Sequence, residues 1–146
     1  MNKVLTIYCD GGSRGNPGPA AAAFAVLEKE KVIVGKSKYL GEKTNNFAEY
    51  KATFMAVSWI KNNLTAIDQD KITINVDSEL VKKQLSGEYK IKSKTLLPIY
   101  RAIKKIDKSV SKKIIYQWQP RDQNTIADSL VNEELDKQAI SRRPKK

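Results

Sequence analysis

Four acidic residues stand where this chain's own pattern would concentrate negative charge. Asp10 follows Val4-Leu5-Thr6-Ile7-Tyr8-Cys9, and Asp77 follows Lys71-Ile72-Thr73-Ile74-Asn75-Val76; both runs are rich enough in β-branched residues to predict strands. Glu49 and Asp128 fall near the starts of segments with helical apolar spacing. A carboxylate at the end of an apolar strand is costly unless its charge is used. For one strand alone, a capped strand end before a hairpin is an equally good reading. Glu49 alone is an ordinary helix-start residue, favoured there by the helix dipole. Four such carboxylates brought together would repel strongly unless cations neutralise them. The chain has no histidine, and Cys9 is its single cysteine. That excludes a thiol–imidazole pair, an internal disulfide and a cysteine-cluster zinc site, and Cys9 reads as core filling. An all-oxygen donor set selects hard divalent ions, Mg²⁺ with Mn²⁺ as a substitute. Two such ions roughly 4 Å apart can hold the attacking and leaving oxygens of a phosphodiester.

The elements that must position these groups follow in order. Val4 to Cys9 is the opening strand, with Asp10, Val4, Thr6 and Tyr8 on one face and Leu5, Ile7 and Cys9 on the other. Gly11-Gly12 is expected to turn the chain sharply and leave room beside the carboxylate, before Gly15-Asn16-Pro17-Gly18-Pro19 leads into a second strand, Ala20 to Leu27. The alanine run alone would favour helix, but the upstream prolines and following β-branched residues outweigh that. A third strand, from Val32 to Leu40, completes a hairpin over Glu28–Lys31. Thr44, Asn45 or Asn46 caps a helix that places Glu49 in its first turn and ends at Asn62-Asn63. The strand ending at Asp77 leads to a short helix, Glu79 to Leu85, capped by Ser78. This crossover predicts parallel pairing with the first strand, which puts Asp10 and Asp77 at one edge of the sheet, where open α/β sheets keep their sites. A helix from Thr95 to Asp107, a strand from Ile114 to Trp118 and a final helix starting within Asp122–Asn124 complete the chain. Tyr89 and Trp118 read as core residues.

Length gives one domain, residues 1–138, followed by a polar, basic tail at 139–146. No apolar run is long enough to cross a bilayer, and no charged-then-apolar leader opens the sequence, so a cytoplasmic protein is expected. The formal net charge is +11 and unevenly placed. Residues 1–81 carry 10 Lys/Arg against 9 Asp/Glu, a balance of +1, whereas residues 82–146 carry 17 against 7, a balance of +10. Such one-sided excess favours a polyanionic partner, with nucleic acid the default; a plain solvated lysine face is the bland alternative.

With these residues assembled, Asp10-Gly11-Gly12-Ser13-Arg14-Gly15-Asn16-Pro17-Gly18-Pro19 closely resembles the first motif of ribonuclease H type 1. Thr44-Asn45-Asn46-Phe47-Ala48-Glu49 resembles its second, Val76-Asp77-Ser78 its third, and Asn124-Thr125-Ile126-Ala127-Asp128 its fourth. Each motif is weakly specific alone; four in order, from Lys3 to about Leu135, are strongly so. The resemblance implies an α/β ribonuclease H-like fold: a mixed five-stranded sheet, three strands antiparallel and two parallel, with helices on both faces. It implies cleavage of the RNA strand of an RNA–DNA hybrid, using two Mg²⁺ ions held by Asp10, Glu49, Asp77 and Asp128; separately, a monomer is expected, although the sequence does not give the oligomeric state. It further implies 2′-hydroxyl contacts from the backbone of Gly11, Gly12 and Ser13 and from Asn16, Asn45, Glu49 and Glu79, and a DNA-phosphate pocket at Thr44 and Asn45. Two departures mark a compact form. Pro120-Arg121-Asp122-Gln123-Asn124 replaces the histidine-bearing loop of many bacterial members, and Glu88 to Leu96 is too short for their extra basic helix. Lys90, Lys92 and Lys94 are expected to serve partly in that helix's place. Other polynucleotidyl transferases share the acidic cluster without the GNPGP loop or the TNN-x-x-E motif, and a non-catalytic binding module would be expected to lack a carboxylate.

Overall fold

The structure, a computed structural model, describes residues 4–141. Five strands form one sheet in the order β3-β2-β1-β4-β5: β1 is Val4–Ser13, β2 Gly18–Glu28, β3 Lys31–Lys43, β4 Lys71–Val76 and β5 Lys113–Trp118. The β1–β2 and β2–β3 pairs are antiparallel, and β1–β4 and β4–β5 are parallel. The mixed sheet is therefore the one expected. Four α-helices accompany it: α1 (Asn45–Asn62), α2 (Glu79–Leu85), α3 (Leu97–Ser109) and α4 (Thr125–Ser141).

The alanine run makes both faces of β2 intelligible. Ala22 and Phe24 point into the large core formed with α1, α2 and α3, whereas Ala21 and Ala23 meet Val131 and Leu135 of α4 on the opposite face. Small side chains let helices approach the sheet from either side, and helical propensity yields to that burial. Strand β4 is buried on both faces, since its clean alternation of Ile72, Ile74 and Val76 with Thr73 and Asn75 occupies a central position. Cys9 is buried in the main core, and burial pushes its thiol far above its ordinary pKa. It fills space, as expected.

Several local expectations need correction. Strand β1 does not end at Cys9: Asp10, Gly11, Gly12 and Ser13 continue the antiparallel ladder opposite Ala23, Ala22, Ala21 and Ala20. What ends near Asp10 is the parallel pairing with β4, whose last partners are Tyr8 and Asn75. Gly11 is therefore not a turn residue. A Cβ there would collide with the backbone carbonyl of Ala48, so its role is to let α1 pack directly on the strand. The turn comes later, where Arg14 N–H donates to Pro19 O at 2.9 Å and Gly15 adopts φ +99°.

Thr44 is the N-cap of α1, its hydroxyl accepting from Phe47 N–H at 3.2 Å. Because the helix then starts at Asn45, Glu49 lies in its second turn, beyond the first-turn position expected. Helix α3 begins two residues later than predicted, after a turn in which Leu97 N–H donates to Ser93 O. A 3₁₀ turn at Arg121–Gln123 precedes α4, so the final helix starts at Thr125. Tyr89 and Trp118 are 50% and 45% exposed, and neither is the core residue predicted. Trp118 closes the edge strand β5, where apolar cover runs out. Helix α4 continues to Ser141, and the rest of the basic tail lies outside the described residues.

Candidate active site

The parallel pairing of β1 with β4 brings Asp10 and Asp77 to the same sheet edge, as the crossover predicted. Helix α1, packed on Gly11, delivers Glu49; α4, packed on Ala21 and Ala23, delivers Asp128 from its first turn. Asn124 ties that last element down. Its buried amide donates to Cys9 O at 2.8 Å, and Asn124 O accepts the N–H of Asp128. One asparagine thus locks the start of α4 to β1 at Cys9, next to Asp10. Its place in the fourth motif was visible, but the clamp spans 115 residues and no local pattern reveals it.

The carboxylates act on one another. Burial raises the pKa of Asp10 well above the carboxylate range; the charges of Asp77 and Asp128 raise it further, with smaller contributions from a hydrogen bond to Asp77 and from the charge of Glu49. Glu49 is pushed up to about 8, first by burial and then by Asp77, against opposing help from Ser78 and Arg121. Among the described residues, no three acidic, cysteine or histidine side chains are gathered closely enough to enclose an ion by themselves. The site is an open one. Even so, the residues fit hard cations: the donors are all carboxylate oxygens, and Glu49 Oε2 and Asp77 Oδ2 are buried without a hydrogen-bond partner. Mg²⁺ suits such a sparse set because it keeps several waters and takes phosphate oxygens.

Asp10 and Asp128 line a cleft of about 240 Å³ together with Gly11, Gly12, Ser13 and Asn45. Arg14 and Arg121 line it too. Arg14 is spoken for by Asp136 of α4 at 2.7 Å. Arg121 is 79% exposed, with its Nε 3.5 Å from Asp77 Oδ2, so a cation from the shortened loop already stands against the acidic cluster. Trp118 meets Asp77 differently, its indole N–H donating to the Asp77 carbonyl at 3.3 Å. Reading it as a core residue concealed this contact.

The residues expected at the substrate form a linked pair of loops. Ser13 N–H donates to Asn45 Oδ1 at 2.8 Å, and Asn45 N–H donates to Asn16 Oδ1 at 3.0 Å. The first-motif loop and the start of α1, including Thr44, are thereby held in one piece beside Asp10. Glu79 is in the first turn of α2, where it is largely exposed and paired with Lys83 at 3.4 Å. Lys90, Lys92 and Lys94 are exposed on the irregular segment between α2 and α3.

Comparison with known proteins agrees with this architecture. The RNase H family profile matches residues 2–141. The bifunctional protein Rv2228c of Mycobacterium tuberculosis is 34% identical over 139 residues, covering 94% of this chain but only 37% of its own length. The N-terminal RNase H domain of that protein, solved as a maltose-binding-protein fusion, superposes with a TM-score of 0.84 at 33% identity, over 97% of this chain and all of that one. LC11-RNase H1, isolated from compost and solved in complex with an RNA/DNA hybrid, gives a TM-score of 0.86 at 34% identity, over 92% of this chain and 99% of that one. Fold, site and family profile coincide over the same residues, and this chain belongs to the RNase H family.

Proposed function

We propose that this chain is a divalent-metal-dependent endoribonuclease that cuts the RNA strand of RNA–DNA hybrids and leaves 5′-phosphate and 3′-hydroxyl ends. The observation that carries this reading is the convergence of Asp10, Glu49, Asp77 and Asp128 from four separate elements on one sheet edge, where buried Glu49 Oε2 has no hydrogen-bond partner and buried Asp77 Oδ2 has only the Arg121 guanidinium, at 3.5 Å. The hybrid bound to the similar LC11-RNase H1 supports the substrate assignment.

Asp10 would hold both ions, Glu49 and Asp77 the one beside the leaving group, and Asp128 the one beside the attacking water. When bound, such ions supply an activated water and stabilise the departing oxygen. The chain's own residues do the rest. Gly11 to Ser13, braced by Asn45 and Asn16, present backbone groups to the 2′-hydroxyls that distinguish RNA from DNA. Glu79 reaches the same groove once released from Lys83, and Thr44 with Asn45 holds a DNA phosphate. Arg121 offsets the acidic charge around Asp77 and Glu49 and must adjust as the phosphodiester arrives. Lys90, Lys92 and Lys94 meet the duplex backbone farther out.

The test is to incubate the protein with labelled hybrid, duplex RNA and duplex DNA, with Mg²⁺ and with chelator. Shortened RNA from the hybrid, only with Mg²⁺, is the expected result. Binding of hybrid with no cleavage in Mg²⁺ or Mn²⁺ would make the chain a hybrid-binding module and remove the enzymatic reading.

A further inference from the structure

A second cavity, of about 390 Å³, lies between β3 and α1 and shares no lining residue with the catalytic cleft. Its cations come from two elements. Lys36 and Lys38 pair with Phe24 and Ala22 of β2, both of which face the α1 core, so these lysines project toward α1. Lys51 projects from α1 to meet them. It feels the charge of Lys38, and its ammonium sits 5.0 Å from the centre of the Phe54 ring. Two residues along a helix is a rotation of about 200°, so Lys51 points away from Glu49.

Lysines turned inward on an edge strand commonly serve only to block edge-to-edge pairing. That purpose would be met equally well, and more stably, with a carboxylate opposite them on the helix. Instead the facing residue is a third lysine, and among the described residues none of the three has an ion-pair partner. Lys38 and Lys51 repel each other with no counter-charge between them, and Lys36 lines the same cavity, so its rim suits a bound polyanion. The rest of the lining adds a second requirement. Phe54 and Trp59 are half-buried, and Trp59 rests on the buried Phe24 with ring centres 6.5 Å apart, so a supported aromatic surface adjoins the cations. The cavity's volume suits a single small ligand.

We propose that this cavity binds a nucleoside phosphate, its phosphates held by Lys36, Lys38 and Lys51 and its base set against Phe54 and Trp59. The ligand is either a free nucleotide or the phosphorylated end of a single strand, which present the same chemistry. This site is independent of the hydrolytic reading, because its residues take no part in the carboxylate cluster.

The experiment uses the full chain carrying Trp118→Phe, which leaves Trp59 as the sole tryptophan, in chelator. ADP is titrated while Trp59 fluorescence is followed. A saturable change is expected. Lys38→Gln with Lys51→Gln should weaken it by about tenfold or more, while Lys38→Arg with Lys51→Arg should retain it. Circular dichroism and melting verify that each variant is folded. Inorganic tripolyphosphate should leave Trp59 unchanged by itself and, read by its displacement of ADP, should bind more weakly than ADP. A 5′-phosphorylated trinucleotide that binds more tightly than ADP assigns the site to strand ends, and one that binds more weakly assigns it to free nucleotide; either supports the site. Absence of saturation at millimolar ADP, unaltered affinity in the glutamine pair, or tripolyphosphate binding as tightly as ADP would overturn the proposal.

Discussion

Gly11 shows how much of the site depends on a single missing methyl group. Adding a Cβ puts it against the backbone of Ala48 and Glu49, which has no freedom to move aside. Gly11→Ala is therefore expected to destabilise the fold by about 2–3 kcal/mol and to separate Glu49 from Asp10. At the neighbouring Gly12 the added atom would meet only Val131 Cγ1 at 3.8 Å, so Gly12→Ala should be nearly silent in the same chemical denaturation experiment. Comparable losses at both positions would contradict the close-packing explanation. Asp10 behaves in the opposite sense. It is buried amid like charges, and Asp10→Asn should raise stability in chelator by about 1 kcal/mol, read as a higher denaturation midpoint. A lower midpoint would mean that Asp10 makes a stabilising interaction the charge argument omits. Asp77 and Asp128 were legible because a strand end and a helix start are local patterns, whereas β1 runs on past Asp10 and Glu49 sits in the second turn of α1, so for those two the ordered motifs carried the reading. The purpose of Gly11 was not, since the residue it must admit lies 37 positions away.

At the level of elements, the strands and helices were readable from alternation, caps and apolar spacing, and the errors share a physical origin. Strand β1 runs past Asp10 because a neighbouring strand with unpaired backbone groups extends the ladder through glycines that have low strand preference on their own. Trp118 looked buried because its strand is apolar, yet β5 is the sheet's edge and the burial ends before it. Edge position is a property of the assembled sheet. The segment between α2 and α3 holds no helix, so its lysines stand free on an irregular stretch. If they meet phosphates, replacing Lys90, Lys92 and Lys94 with alanine should reduce the slope of log affinity for hybrid against log salt by about one for each phosphate no longer neutralised. An unchanged slope would return them to the role of a solvated face. The Arg121–Gln123 turn carries no histidine, the side chain best suited to hand a proton to a departing phosphate near neutral pH. Under saturating hybrid, a rapid burst of about one equivalent should precede a slower linear phase limited by product release. A time course that is linear from the first turnover would show that release is not limiting.

Over the whole molecule, the fold gathers negative charge at one sheet edge while the chain as a whole carries +11. The local concentration has a measurable cost. Asp10 and Glu49 have pKa values raised on folding, so between the ordinary carboxylate range and about pH 8 the native state binds more protons than the unfolded chain. Stability in chelator must then fall as pH rises through that window. The melting-temperature difference between Glu49→Gln and the wild type should accordingly grow from about pH 5 to pH 8, and Mg²⁺ should close it most at the upper end. A difference independent of pH would mean that Glu49 is ionised throughout. That the four carboxylates together hold the ions that cut RNA in a hybrid is tested most directly by single-turnover cleavage of an end-labelled hybrid. The wild type is compared with Asp10→Asn, Glu49→Gln, Asp77→Asn and Asp128→Asn, each shown to be folded, across a Mg²⁺ titration. RNA-strand cleavage that depends on Mg²⁺ is expected in the wild type, with a loss of about a hundredfold or more in every variant at all Mg²⁺ concentrations. Wild-type cleavage that persists in chelator, or a variant retaining activity within a few-fold of wild type, would contradict it.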